Sequence, residues 1–207
     1  VLFHQVSTTG LSINDIDSLC QQYLAILYHD VQRRNDLVIN NICETYGEIL
    51  YPSVDKILSV IQPSDSDVFV DYGSGLGKMV IQFFLKSRVK EAYGIEISPD
   101  LYQHSFNAAQ RLRHELPGFY QCGRKLTFFL GDFLEVHLET ATIAMVTSTC
   151  FTQSLLNQLG KIIEHTPSIH TVLSLRPISI LERLTFKKTI RLECSWDTEL
   201  CYVYSDK

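Results

Sequence analysis

The chain has 207 residues, 45% of them hydrophobic and 20% charged, which fits one globular domain with a sizeable core and excludes a disordered protein. Its formal net charge of −5 argues against broad, charge-driven binding to nucleic acid. No apolar run approaches the roughly 18 residues of a membrane-spanning helix, and six scattered cysteines without a C-x-x-C pair predict a reducing compartment, cytoplasm or nucleus.

In chain order, the first predicted element is helical, from about residue 12 to 44. Ser12 with Asp15 resembles a capping box, and Leu19, Tyr23, Ile26 and Leu27 form an apolar stripe at helical spacing. Arg33-Arg34 is read as a solvated face. After TYGEIL comes a second helix with Val54, Ile57, Leu58 and Ile61 on one side, ended by Pro63-Ser64-Asp65. From there strands and helices alternate. Strand 68–72 leads to a helix containing Met79, Val80, Phe83 and Phe84. Strand 92–97 leads through Ser98-Pro99-Asp100 to a long helix that stops before Pro117-Gly118. Strands at 125–130, 141–147 and 170–175 follow, with a helix at about 152–165 between the last two. The tail breaks the alternation: 184–194 and 199–204 read as an antiparallel pair turning around Ser195–Thr198.

Such alternation predicts a mostly parallel seven-stranded, Rossmann-like sheet covered by helices, with a terminal antiparallel pair and N-terminal helices. That terminal pair distinguishes the class I S-adenosylmethionine-dependent methyltransferase architecture from most dinucleotide folds. Residues 1–45 are expected to form a helical cap and 46–207 one compact core. The chain begins at Val1 rather than methionine, so it says nothing of a targeting segment. His114-Glu115 opens like H-E-x-x-H, but Gly118 stands at the second ligand position, and no protein metal site is expected.

The most informative stretch is VFVDYGSGLG, Val68 to Gly77. A short apolar strand ends in Asp71 and runs into Gly73, Gly75 and Gly77, and a second acid, Glu96, closes the run YGIE. Glycines let the backbone turn tightly and approach a ligand, and an acid at the next strand tip can hold a ribose diol. Dinucleotide loops favour G-x-G-x-x-G; here the spacing is G-x-G-x-G, with Lys78 at the place of the third dinucleotide glycine. Asp71 would repel a pyrophosphate but suits a ligand carrying an ammonium and a sulfonium, which favours S-adenosylmethionine over a dinucleotide. A glycine-rich turn without a ligand explains the two acids poorly. Asp71, Glu96, Asp132 and Thr147-Ser148 all fall at predicted carboxyl ends of strands, where such sheets bind their ligands.

TYGEI, VFVDYGSGLGKMVIQ, YGIEIS, GDFLE and CSWDTELCYVY occur in the order seen in the disruptor-of-telomeric-silencing family. Residues 43 to 204 resemble these histone lysine methyltransferases, which are built on the Rossmann-like rather than the SET fold. The resemblance implies that Tyr46, Gly47 and Glu48 close over the methionine part of the cofactor. By the same resemblance Asp71, Gly73 and Gly75 hold its amino-acid end, with Gly77 and Lys78 completing the loop, and Glu96 holds the ribose. Asp132 would read the adenine amine, Phe133 would pack on its ring, and Thr147 would complete the cofactor site. Two departures stand out. The family carries paired asparagines beside the transferable methyl, where this chain has Thr147-Ser148 followed by Thr149-Cys150-Phe151. The family also holds the nucleosome with a basic flank. Here only Arg183, Lys187, Lys188 and Arg191 cluster, and they read as outward residues that protect an edge strand.

The expected function is methyl transfer to a protein lysine, with Tyr46, Phe151 and Trp196 as walls of an apolar channel and Thr147 and Ser148 beside the methyl. A small molecule or RNA as acceptor remains a rival, as does a cofactor-binding protein that has lost catalysis, which the Thr147-Ser148 departure would support.

Overall fold

The computed structural model describes residues 13–29 and 47–206. Expectations on Ser12, Arg33, Arg34 and Tyr46, and on the first helix beyond residue 29, lie outside these residues.

The described elements are helix α1 (Ile13–Leu27), helix α2 (Tyr51–Ile61), strand β1 (Val68–Tyr72), helix α3 (Lys78–Lys86), strand β2 (Glu91–Glu96) and helix α4 (Pro99–Glu115). They continue with strand β3 (Lys125–Leu130), strand β4 (Ile143–Val146), helix α5 (Gln153–Glu164), strand β5 (Thr171–Ser174), strand β6 (Leu184–Glu193) and strand β7 (Thr198–Asp206). A 3-10 turn over Pro117–Gly123, not foreseen from the sequence, follows α4 and buries Phe119.

One seven-stranded sheet has the order β3-β2-β1-β4-β5-β7-β6. The first five pair in parallel, and β7 inserts antiparallel between β5 and β6. The reversal of strand order lies between β1 and β4, so the carboxyl ends of β1, β2 and β4 open onto one crevice. β1 is buried at every position, as a central parallel strand covered on both sides must be. On one side Phe69 stacks on Phe83 of α3 with ring centroids 3.8 Å apart, and the core continues through α1, α2 and α4. On the other, Val70, Tyr72, Ala144 and Val172 pack with Leu156, Leu159 and Ile163 of α5.

Local chemistry sets the element ends. Pro52 and Pro99 sit in the first turns of α2 and α4, where a missing N–H costs nothing, and the Thr152 side chain accepts a 3.2 Å bond from Leu155 N–H to cap α5. α1 docks through Cys20, Tyr23 and Leu24, and Tyr28 packs just past its end. Of the expected stripe, Tyr23 is buried and Leu19 and Leu27 pack partly against the core, whereas Ile26 is exposed. Lys86 ties three helices together by pairing with Asp17 of α1 and Asp55 of α2. Burial alone would lower the pKa of that ammonium, yet the two carboxylates raise it above its ordinary value.

The edge strand β6 is protected differently at its two ends. Lys187, Lys188 and Arg191 are exposed, as expected, and a bulge lies between Phe186 and Lys188. Near the other end Lys56 donates to the Arg191 carbonyl (2.9 Å), and Ser53 Oγ accepts from Glu193 N–H (2.6 Å). Arg183 departs from the expected role. Its guanidinium turns inward and donates to the carbonyls of Ile169 (2.7 Å) and Thr166 (3.1 Å), covering the end of α5.

Candidate active site

The glycine loop takes its shape from three positive φ angles, 88° at Gly73, 55° at Gly75 and 77° at Gly77. Such angles disfavour any residue with a Cβ. At Gly77 space forbids one as well, since a Cβ would lie 2.5 Å from the Phe128 ring. The N–H groups of Gly73 and Ser74 both donate to the Ile95 carbonyl, at 2.9 and 3.0 Å, which locks the loop to β2. Glu96 completes the lock: one carboxylate oxygen accepts from Gly75 N–H (2.7 Å) and the other from Ser98 N–H (2.8 Å). The acid at the tip of β2 thus shapes the loop and still presents lone pairs to the crevice.

Above the loop lies a cavity of about 570 Å³. Asp71, Gly73, Gly75, Lys78, Glu96, Asp132, Phe133, Thr147 and Phe151 line it, together with Gly47 and Glu48. Most of the expected site residues therefore meet in one place. Glu48, Asp71, Glu96, Asp100 and Asp132 bring five carboxylates to the lining against one ammonium, that of Lys78, which Glu48 binds at 2.6 Å. This balance favours a cationic ligand.

Asp71 is the least comfortable of these acids. It is 3% exposed, and its Oδ1 atom is buried without a hydrogen-bond partner. Burial, and then the negative charge of Glu96, push its pKa up to about 7. Ser74 also lines the cavity with a buried, unpartnered hydroxyl. An orphaned carboxylate oxygen is costly in isolation, and an ammonium group of a ligand would satisfy it. The residues present therefore fit the amino-acid end of S-adenosylmethionine.

The wall beside Asp132 is largely apolar. Ile97 follows Glu96 at the end of β2 and is 63% exposed into the cavity mouth. Phe133 lies edge-on to Tyr72 and 5.3 Å from Phe151, so its ring is part of an aromatic wall. Asp132 Oδ1 accepts from Leu134 N–H at 2.9 Å, which fixes the carboxylate at the end of β3.

Three expected residues lie off the cavity. Ser148 is fully buried and its hydroxyl lies 3.2 Å from Ser174 Oγ. The chain turns tightly past the end of β4, where Ser148 N–H donates to the Val146 carbonyl (2.9 Å), and of the pair only Thr147 lines the crevice. Gly77 packs against β3 and α4 rather than the cavity. Trp196 sits at the turn between β6 and β7 with its ring against Gly47; a Cβ at residue 47 would lie 2.1 Å from Trp196 Cε3. The indole N–H donates to Glu199 at 2.9 Å.

Sequence reasoning missed Ile49, Ser74, Ile97, Thr149, Cys150 and Leu155 in the lining. Ile97 had a signal, an apolar residue directly after an acid at a strand tip. Leu155 had none, since helix periodicity alone assigns it to the core.

A family description, "Histone methylation protein DOT1", matches residues 38–193 of the chain. Two similar proteins are both named "Histone-lysine N-methyltransferase, H3 lysine-79 specific". The protein of Caenorhabditis elegans is 27% identical over 56% of this chain and 13% of its own length. That of Aspergillus fumigatus is 30% identical over 58% of this chain and 25% of its own length. The chain thus corresponds to a quarter or less of these relatives. Among solved structures, an RNA methyltransferase of Salinibacter ruber, bound to S-adenosyl-L-homocysteine, superposes with a TM-score of 0.54. It is 22% identical, covering 76% of this chain and 92% of that one, which shows a shared class I methyltransferase fold. With the family match extending over most of its length, from before the cavity's first residues to the end of β6, the chain belongs to the DOT1 histone methylation family.

Proposed function

We propose that the chain is an S-adenosylmethionine-dependent methyltransferase whose acceptor is a protein lysine, in the first instance a lysine of a histone. One observation carries the cofactor reading: the buried, unpartnered oxygen of Asp71 within a cavity rich in carboxylates. Family membership supports the lysine, since the related proteins carry that activity in their names.

The cofactor, when bound, supplies a methyl group on a sulfonium, which an amine displaces in line. Asp71 and Ser74 would hold its amino-acid end, Glu96 its ribose hydroxyls, and Asp132 its adenine amine, with Phe133 and Ile97 against the base. Thr147, Thr149, Cys150 and Phe151 form the remaining wall and would face the acceptor. A lysine has to attack as the free amine, and neutralising it at pH 7 from an ordinary pKa near 10.4 costs roughly 4–5 kcal/mol. An apolar wall lowers that cost by disfavouring the charged form. Phe151 is the residue best placed for this. Its carbonyl is held by Arg176, which also donates to Gln153 at 3.0 Å. Tyr46, outside the described residues, and Trp196 are proposed as further parts of the channel. No side chain is assigned as general base, and water takes the amine proton before attack. Catalysis is then chiefly alignment and exclusion of water.

The test is transfer of a labelled methyl from S-adenosylmethionine into a cell lysate supplemented with histones. Label on a lysine of a protein band supports the reading. Label confined to RNA or small metabolites, or cofactor binding without transfer, contradicts it.

A further inference from the structure

The wall of the cavity formed by Gly47, Glu48 and Ile49 is not built from the strands that supply the rest of the site. It is carried by the far edge of the sheet. Ile49 bridges antiparallel to Cys194, and Leu50 N–H donates to the Glu193 carbonyl at 2.9 Å. Glu48 and Ser195 bond reciprocally: Glu48 N–H donates to Ser195 Oγ (3.0 Å) and Ser195 N–H donates to the Glu48 carbonyl (2.8 Å). The Trp196 ring lies so close over Gly47 that only glycine leaves room for it. Across the cavity mouth, Lys78 at the start of α3 holds the Glu48 carboxylate.

We propose that Ser195 and Trp196, at the tip of the β6–β7 hairpin, are positioning residues for the Gly47–Ile49 wall. Through that wall they set the affinity for the methyl donor. The inference rests on the cofactor reading above, and goes beyond it by assigning cofactor retention to a hairpin 147 residues away in sequence. Its physical basis is that residues 48–50 pair with Glu193, Cys194 and Ser195 while Gly47 lies under the Trp196 ring, so a shift of the hairpin tip moves three lining residues together. A protein acceptor that touched the exposed side of Trp196 would therefore change cofactor affinity without entering the cavity.

The chain has one tryptophan and ten tyrosines, so emission excited selectively in the indole reports on this contact alone. S-adenosyl-L-homocysteine is titrated by calorimetry and, in parallel, by tryptophan fluorescence. In the unaltered chain the emission should change and saturate with the calorimetric Kd. Ser195→Ala removes the acceptor of Glu48 N–H; it should weaken binding about five-fold, raise KM for the methyl donor and leave kcat near its starting value. Ser195→Thr, which keeps the hydroxyl, should restore the affinity. Binding that leaves the emission unchanged overturns the positioning role while the cofactor reading stands. So does a Ser195→Ala affinity equal to that of the starting chain, or a loss that threonine does not recover. An absence of binding heat in the unaltered chain overturns the cofactor reading itself, and the positioning role with it.

Discussion

Cofactor binding should titrate with Asp71. In the free protein burial and Glu96 raise this carboxyl from an ordinary 3.8 to about 7. A ligand ammonium against the unpartnered Oδ1 stabilises the ionised form, so binding requires the carboxylate. At pH 8 most of the free protein is already ionised; at pH 6 about one molecule in ten is, and affinity should be roughly ten-fold weaker, about 1.4 kcal/mol. Stability has the opposite sign. The folded pKa lies above the unfolded one, so the stability that Asp71 contributes is fully present below about pH 4. It is lost as pH rises through 7, up to roughly 4 kcal/mol. Asp71→Asn keeps the shape and removes the titration. It should raise the Tm of the ligand-free protein at pH 8 while weakening cofactor binding, a conflict between stability and function at one atom. The assay is calorimetry with S-adenosyl-L-homocysteine from pH 6 to 8 in buffers of different ionisation enthalpy, with thermal melts alongside. An affinity that stays flat over this range, or a slope that survives in Asp71→Asn, would refute the reasoning.

Other outcomes follow from the same geometry. Glu96→Ala should weaken the same ligand by about 1.5–3 kcal/mol, because charge-assisted bonds to the ribose are lost; unchanged affinity would remove Glu96 from the site. Gly77→Ala should lower the Tm by several degrees, since the left-handed φ of 77° and the 2.5 Å approach of Phe128 both oppose a Cβ; an unaltered melt would contradict the packing described. NAD should give no thermal shift at concentrations where S-adenosylmethionine gives one, because Asp71 repels a pyrophosphate, and a shift with NAD alone would reverse the assignment.

Much of this architecture was legible because its signals are local. The buried run Val68–Val70, Asp71 and the glycines after it are contiguous in sequence, Glu96 closes the next apolar run, and the structure places them as a strand–loop–helix unit facing a second strand tip. What stayed hidden depended on contacts between distant segments. Leu19, Tyr23 and Leu27 of α1 pack as their spacing suggests, but only packing against α3 decides that Cys20 and Leu24, and not Ile26, flank them. Arg183 belongs by position to a run of outward basic residues, yet the open carbonyls at the end of α5 draw it inward. Ser148 looked equivalent to Thr147, but a tight turn past the end of β4 sends one to Ser174 and leaves the other in the crevice. The pairing of Glu48 with Ser195 left no trace in either segment, since a lone serine in a turn does not reveal which distant N–H its hydroxyl accepts from.

Methyl transfer to a lysine amine from a donor held over Asp71 and Glu96 is the proposed reaction. Its most direct test is peptide mass spectrometry of histone proteins incubated with the chain and S-adenosylmethionine, quantifying methylated lysine against a matched reaction with Asp71→Ala. The expected result is methylation of lysine by the unaltered chain and its loss in the variant. A chain that binds the donor by calorimetry yet leaves every lysine unmodified, or whose methyl groups appear on other residues, would contradict it.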